Sequence, residues 1–177
     1  MLRTLMLILV SLLPLHAHAD DLWWTYLASY EDNKPGSTRV NLGLKSLAPV
    51  DGYPYLIVTG TSYKGDKTSG LPVAHDFELL DDVYGKVVQT IAAVSPSIYA
   101  GTFTNDHQQL HYIYVKNATG VEAALREMYE NACPDCKIYV NVKRDPTWFG
   151  FNKFLYPNQP TLDFYRAELV QLGAIKQ

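Results

Sequence analysis

The chain has 177 residues, of which 47% are hydrophobic and 19% are charged, and its formal net charge is −3 at pH 7. This length suits one domain with its own hydrophobic core, without dependence on metals or many disulfides. The acidic balance argues against a nucleic-acid partner, because nucleic acids are bound by clustered Lys and Arg side chains.

Residues 1–19 carry the features of a secretory signal peptide in the expected order. Arg3 provides a short positive segment, the run from Leu5 to Leu15 is apolar, and Ala17-His18-Ala19 offers the small residues that signal peptidase requires. We therefore predict cleavage after Ala19 and a periplasmic or secreted mature protein that begins at Asp20. The apolar run is shorter than the roughly 20 residues of a membrane span, so no membrane anchor is expected after cleavage.

The mature chain begins with three predicted strands. Trp23 to Tyr30 is rich in aromatic and β-branched residues, and the turn-forming residues 31–36 separate it from a second extended run, Thr38 to Leu44. These two segments predict an N-terminal β-hairpin. A third strand is predicted from Tyr53 to Tyr63, after a turn rich in Pro, Asp and Gly.

A long helix and a second hairpin are predicted next. Apolar residues recur in steps of four and three from Val73 to Val94, which is typical of a helix with one apolar stripe. Pro72 precedes this segment and Pro96 follows it. Ser97 to Thr104 and Gln109 to Val115 then predict two strands joined by a short turn.

The remaining elements are a second helix, a strand and a helical tail. Thr119-Gly120-Val121-Glu122 has the pattern of a capping box, and the helix that it opens ends before Pro134. Lys137 to Lys143 alternates polar and apolar residues and predicts a strand. Thr147 to Leu155 and Thr161 to Leu172 predict short helices.

From Tyr53 to Lys143 the predicted order is β-α-β-β-α-β, which is the split βαβ pattern of a ferredoxin-like sandwich. The fold class is therefore α+β, with two helices on one face of a four-stranded antiparallel sheet. The N-terminal hairpin and the C-terminal short helices are additions to this unit. Because no linker or low-complexity segment interrupts it, residues 20–177 are predicted to form a single domain.

Three local motifs carry a resemblance to a known family. They are Gly70-Leu71-Pro72 before an acidic helix, Asp145-Pro146-Thr147-Trp148, and Phe154-Leu155-Tyr156-Pro157. With these motifs the chain resembles a bacterial family of unknown function, number six-ninety-five, from about Trp23 to Leu172. The resemblance extends distantly to the regulator of ribonuclease E activity B, a small ferredoxin-like inhibitor. It implies the fold and a binding or regulatory role, and it transfers no catalytic residue.

The tail motifs are predicted to be structural. Asp145-Pro146 ends the last strand, since Pro lacks the N–H that would continue the ladder. Trp148 follows immediately, and with Phe154 and Leu155 it gives a short helix an apolar side that must be buried. We therefore interpret the residues of these two motifs as structural. They are Asp145, Pro146, Trp148, Phe154, Leu155, Tyr156 and Pro157.

Cys133-Pro134-Asp135-Cys136 closes a predicted helix. A redox-active CxxC opens a helix, where the positive end of the dipole stabilises the thiolate, so the position at a helix C-terminus favours a structural disulfide between Cys133 and Cys136. A redox-active pair and a metal site remain alternatives. The metal site would need His107 and His111 as further ligands, and their turn and strand positions do not favour it. No metal and no cofactor are predicted.

His75, Glu78, Asp82 and Lys86 lie opposite the apolar stripe of the first predicted helix. A His beside carboxylates is suited to acid–base catalysis, and His75 and Asp82 are spaced to meet two turns apart. The polar side of any amphipathic helix has the same composition, however, so a solvated surface is the favoured interpretation.

Five tyrosines are predicted on one face of the sheet, opposite to the face that carries Leu56, Val58, Ile113 and Ile138. They are Tyr53, Tyr55, Tyr112, Tyr114 and Tyr139. Such a face provides an open binding surface for a saccharide or a protein. Alternatively, the N-terminal hairpin and the aromatic tail of Trp148, Phe149, Phe151 and Phe154 cover it as a second core.

The sequence alone favours an exported, non-enzymatic binding or regulatory module. Its partner is an unknown protein or a small molecule such as a saccharide. The alternative is a periplasmic hydrolase whose site uses His75, Asp82 or His111. A pocket that joins a His to a carboxylate and a hydroxyl nucleophile would favour the enzyme.

Overall fold

The computed structural model describes residues 21–30 and 33–176, so the predicted signal peptide lies outside the described residues. Six strands form one antiparallel sheet in the order β1-β2-β4-β5-β3-β6. The strands are β1 Trp23–Ser29, β2 Pro35–Asn41, β3 Tyr55–Ser62, β4 Ser97–Asn105, β5 Gln108–Val115 and β6 Ile138–Arg144.

Four α-helices accompany the sheet in the described part of the chain. They are α1 Phe77–Val94, α2 Val121–Ala132, α3 Gln159–Phe164 and α4 Arg166–Gln171, with a 3₁₀ turn at Leu42–Ser46 and a π-helical turn at Gly150–Leu155. None of these helices combines the length and hydropathy needed to cross a membrane. The mixed α and β composition and the predicted order of the major elements are confirmed.

The start of α1 differs from the prediction. The helix begins at Phe77 rather than at Val73, because the buried carboxylate of Asp76 accepts the backbone N–H groups of Lys64, Gly65 and Val73. These three bonds hold the preceding segment in a non-helical loop. The N-cap of α2 is Gly120, with a φ of 81°, and no side chain caps this helix, so the predicted capping box is also wrong.

The sheet is buried on both faces by different parts of the chain. Helices α1 and α2 cover one face, where they form the helix-side core with Ile57, Ile113 and Val115. The segment after β6 covers the other face, where it forms the tail-side core with Leu56, Tyr112 and Tyr114.

Strand β3 faces the opposite way from the prediction. Ile57 pairs directly with Ile113, and Leu56 pairs directly with Tyr114. Directly opposed residues of antiparallel strands share a face, so Ile57 follows Ile113 to the helix side and Leu56 follows Tyr114 to the tail side. Tyr55 also packs on the helix-side core.

The N-terminal hairpin extends the sheet and does not lie across it. β2 pairs with β4, which places β1 at the outer edge. One face of the hairpin contributes Trp24, Tyr26 and Val40 to the tail-side core. On its other face Thr25 and Arg39 are exposed. This face of the hairpin and the neighbouring helix α1 line the groove described below.

Candidate functional site

The five tyrosines predicted on one open face occupy different environments. Tyr114 is fully buried and Tyr112 is 8% exposed, both beneath the tail. Tyr53 packs against the margin of the same core, Tyr139 is 40% exposed, and Tyr55 lies on the helix side. These residues therefore do not form a single open binding face.

The tail that covers this face is organised around Asp145. Its carboxylate accepts the hydroxyl of Tyr114 at 2.7 Å and the backbone N–H groups of Phe149 and Gly150, each at 2.8 Å. Burial raises the pKa of Asp145, but these hydrogen bonds outweigh the desolvation, and the net pKa lies below its usual value. A charged carboxylate thus fixes the chain where it leaves the sheet.

Trp148 closes the same structure. Its ring is fully buried and stacks on Tyr114 with centroids 3.8 Å apart, and its indole N–H donates to the carbonyl of Tyr53 at 3.0 Å. Gly150 is required beside it, since a Cβ there would lie 2.4 Å from Leu56 Cδ2.

The Phe-Leu-Tyr-Pro motif also lies against the tail-side core. Phe154 stacks on Tyr112, Leu155 is fully buried, and Tyr156 receives Lys45 over its ring. Pro157 is buried, whereas Pro146 is exposed at the turn. Phe149 is 61% exposed and takes no part in the cover.

Cys133 and Cys136 lie at disulfide-bonding distance just after α2, with their Cα atoms 5.3 Å apart. The described residues contain no group of three or more His, Cys, Asp or Glu side chains arranged to hold a metal ion. His107 instead lies in the turn between β4 and β5, where its Nδ1 contacts the carbonyl of Lys64 at 2.8 Å.

His75 and Asp82, whose spacing would allow them to meet on one helix, are not paired with each other. Asp82 accepts from Lys86 at 2.7 Å, and His75, which is largely exposed, lies 3.5 Å from Asp76 before the helix begins. Asp76 is occupied by three backbone N–H groups. This cluster is therefore a loop anchor and a surface ion pair, not an acid–base site.

A groove of about 310 Å³ lies beside α1 on the helix-side face of the extended sheet. We call it the polar groove. Strands β1, β2, β4 and β5 form its floor, and the first turns of α1 form its wall. The floor residues are Thr25, Ser37, Arg39, Thr102, Thr104, Gln109 and His111, and the wall residues are Phe77, Leu80, Asp81 and Tyr84.

The floor residues are aligned by the strand register. Thr25 lies opposite Arg39, Arg39 opposite Thr102, and Thr102 opposite His111. Side chains in direct antiparallel pairs lie about 5 Å apart at Cβ, so these four residues form a continuous row across four strands. Ser37, Thr104 and Gln109 form a second row beside it.

His111 ends the first row and is 1% exposed. Its Nδ1 lies 2.7 Å from the hydroxyl of Tyr99, which also bonds Thr102 Oγ1 at 2.5 Å. Among the described residues no hydrogen bond to its Nε2 is formed, and His111 lines the groove. Burial lowers the pKa of His111 from 6.5 to about 4, which keeps the ring neutral at pH 7.

Arg39 is the single basic side chain that lines the groove in the described residues, and Asp81 is the single acidic one. The guanidinium of Arg39 lies 4.7 Å from the ring centroid of Trp23, an arrangement that holds it by a cation–π contact. The edge of the guanidinium then remains available to donate hydrogen bonds.

The model of a family described as "Family of unknown function (DUF695)" matches residues 21–156, which is more than half of the chain. The chain belongs to the DUF695 family. No curated protein and no solved structure matches it, so the distant similarity to the regulator of ribonuclease E activity B stays a prediction.

Sequence reasoning missed the groove of this DUF695 chain except for His111. Thr25 and Arg39 come from the β1–β2 hairpin, which is far in the sequence from the β4–β5 hairpin that carries Thr102 and Gln109. One signal concerned the groove: Ser37 and Arg39 alternate along β2 with residues that are buried, which indicates that one face of this strand lies outside the core. This alternation does not indicate that α1 lies beside that face.

Acid titration tests the environment of His111. Because its pKa falls from 6.5 in the unfolded chain to about 4 in the folded protein, the unfolded state binds the proton first. We expect the contribution of His111 to the free energy of unfolding to be complete above pH 6.5. It should decrease by up to about 3 kcal/mol as the pH falls toward 4. His111→Gln should flatten this slope in urea unfolding. Equal slopes in the parent protein and the variant would contradict the assignment.

Proposed function

We propose that this DUF695 chain is an exported, non-enzymatic binding module that receives its ligand in the polar groove. The observation that carries the proposal is the combination of two aligned polar rows with a neutral, buried His111 that has no acidic partner in the described part of the chain. Such a site presents hydrogen-bonding groups to a ligand without the means to activate a nucleophile.

The chemistry of His111 is the reason for choosing binding over hydrolysis. A catalytic base of the Ser-His-Asp type needs a carboxylate that orients the imidazole and stabilises its charged form. In the described residues His111 is bonded to the hydroxyl of Tyr99, and no carboxylate contacts it. Burial raises the pKa of Tyr99, so that partner stays neutral as well.

The fold supports the same proposal. We infer a ferredoxin-like unit from β3 to β6, since its elements follow the order βαββαβ and its antiparallel sheet has β3 and β5 in the middle with β4 and β6 outside. The β1–β2 hairpin is added beside β4. This addition creates the floor area that a four-stranded unit would lack, and it supplies Thr25, Ser37 and Arg39 to the groove.

The proposed export is supported by the order of features in residues 1–19 and by the cysteine pair, since disulfides persist in oxidising compartments. Expression in a bacterial host with a periplasm tests it. We expect the mass of the periplasmic product to correspond to an N-terminus at Asp20. A soluble cytoplasmic product that retains Met1 would refute export.

Turnover assays test the non-enzymatic part. The mature protein is incubated at pH 7 with chromogenic esters, phosphate esters, glycosides and a labelled peptide mixture. We expect no hydrolysis above the level of the His111→Gln variant. Hydrolysis that His111→Gln abolishes and His75→Gln retains would establish the enzyme instead. Both variants are first shown to be folded by circular dichroism.

A further inference from the structure

We propose that the ligand of the polar groove is a neutral saccharide of about two sugar rings. This inference rests on the proposed function, because it names the chemical class that the same groove would bind. Four features of the groove carry it: the hydrogen-bonding floor, the aromatic wall, the charge balance and the length.

The floor matches the hydrogen-bonding character of a sugar. Hydroxyl groups of a sugar both donate and accept, and so do the Thr and Ser side chains and the amide of Gln109. Arg39 adds donors, and the Nε2 of the buried His111, which has no hydrogen bond among the described residues, adds one more polar atom at the end of the row. A ligand that both donates and accepts along its whole length satisfies this row better than one that only accepts.

The wall provides exposed aromatic surface at the level of the floor. Phe77 is 53% exposed and Tyr84 is 37% exposed, whereas Leu80, Val83, Val87 and Ile91 of the same helix are buried. The ring of Tyr84 is held by an edge contact with Tyr99, whose centroid lies 5.3 Å away. Rigid aromatic rings beside a polar row suit the two sides of a sugar, which carry C–H groups on the ring faces and hydroxyls at the edges.

The charge of the groove argues against a strongly anionic ligand. Arg39 and Asp81 balance each other, and His111 is neutral at pH 7. Sites for phosphate or carboxylate usually present converging cations or several backbone N–H groups. Here the described lining contains a single guanidinium, which lies over the ring of Trp23 at 4.7 Å from its centroid.

The length of the row sets the size of the ligand. It crosses four adjacent strands, which are spaced about 4.8 Å apart, so it extends over about 14 Å. The volume of about 310 Å³ lies at the lower end of the range for ligand pockets. A single pyranose ring would span only part of the row, whereas a disaccharide has the length to extend from Thr25 to His111.

Calorimetric titration tests the inference. The mature protein at pH 7 is titrated with maltose, cellobiose, N,N′-diacetylchitobiose, glucose, glucuronate and inorganic phosphate, each to tens of millimolar. We expect at least one neutral disaccharide to bind more tightly than glucose. Phe77→Ala and Arg39→Ala should each weaken this binding by about tenfold or more.

Matched controls separate the groove from the rest of the surface. Phe164→Ala removes an aromatic ring that is 82% exposed on the tail, and Arg144→Ala removes an exposed strand cation, so neither should change the affinity. Thermal unfolding confirms that the four variants are folded. Equal loss in groove variants and controls would refute the location.

The remaining outcomes distinguish the two proposals. Binding of only phosphate or glucuronate, lost in Arg39→Ala, would overturn the neutral saccharide as the ligand and leave the binding module standing as an anion receptor. Absence of binding by every disaccharide would also overturn the saccharide class. Turnover of a glycoside in the separate hydrolysis assay would overturn the non-enzymatic function itself.

Discussion

Trp148→Ala is expected to lower the free energy of unfolding by about 3 to 5 kcal/mol, the range for large-to-small changes at a buried aromatic residue. The Trp148 side chain is fully buried, stacks on Tyr114, and contacts the ring of Phe151 edge-on. Its removal leaves a cavity between the sheet and the tail and also removes the donor to the carbonyl of Tyr53. This loss is a large part of the 5 to 15 kcal/mol that holds an ordinary domain folded.

The neighbouring Phe149 provides the control for Trp148. It is an aromatic residue in the same turn, but it is 61% exposed, so Phe149→Ala should change the unfolding free energy by no more than about 0.5 kcal/mol. Thermal and urea unfolding of the two variants make the comparison. A shift of only a degree or so for Trp148→Ala would mean that Trp148 is not a fold residue and would make the tail a candidate for ligand binding.

Asp145→Asn is expected to cost about 3 kcal/mol or more, because it replaces a buried charged acceptor that serves three donors. The asparagine amide nitrogen would face an N–H group of Phe149 or Gly150 and leave it unpaired. Asp51→Asn, at an exposed turn, is the control and should be nearly neutral. Equal stabilities for the two variants in urea unfolding would contradict the role of Asp145.

The contribution of Asp145 to stability changes over a lower pH range than that of His111. Its pKa is depressed in the folded protein, so its contribution to stability is complete above the ordinary Asp pKa of about 3.9 and is lost as the pH falls further. The Asp145→Asn variant should therefore differ most from the parent protein near neutral pH and least in strong acid. The His111 effect is confined to higher pH, between 6.5 and about 4.

Much of the fold could be predicted because local signals were strong. The 3.6-residue periodicity before Pro96 and the alternation in Lys137–Lys143 identified α1 and β6. Strand β3 was different, since Leu56, Ile57 and Val58 are all buried. A strand that is apolar on both sides carries no alternation from which its facing can be deduced. Only the pairing of Ile57 with Ile113 determines it.

The groove was beyond sequence reasoning for another reason. Its floor joins β1, β2, β4 and β5, and no local pattern states that the hairpin continues the sheet beyond β4. The tyrosines were conspicuous in composition, yet the tail buries Tyr112 and Tyr114. The amino-acid composition shows that tyrosine is abundant, but the tertiary structure determines which tyrosines are exposed to solvent.

Chemical-shift mapping of the isotope-labelled mature protein, with the neutral disaccharides above added in excess, tests the proposed site most directly. Binding in the polar groove predicts amide shifts that cluster at Thr25, Arg39 and Thr102 and in the first turns of α1, while the amides of β6 and the tail stay unchanged. Shifts centred on Tyr139 and its neighbours in β6, or no shifts with any disaccharide, would contradict a saccharide site in the groove.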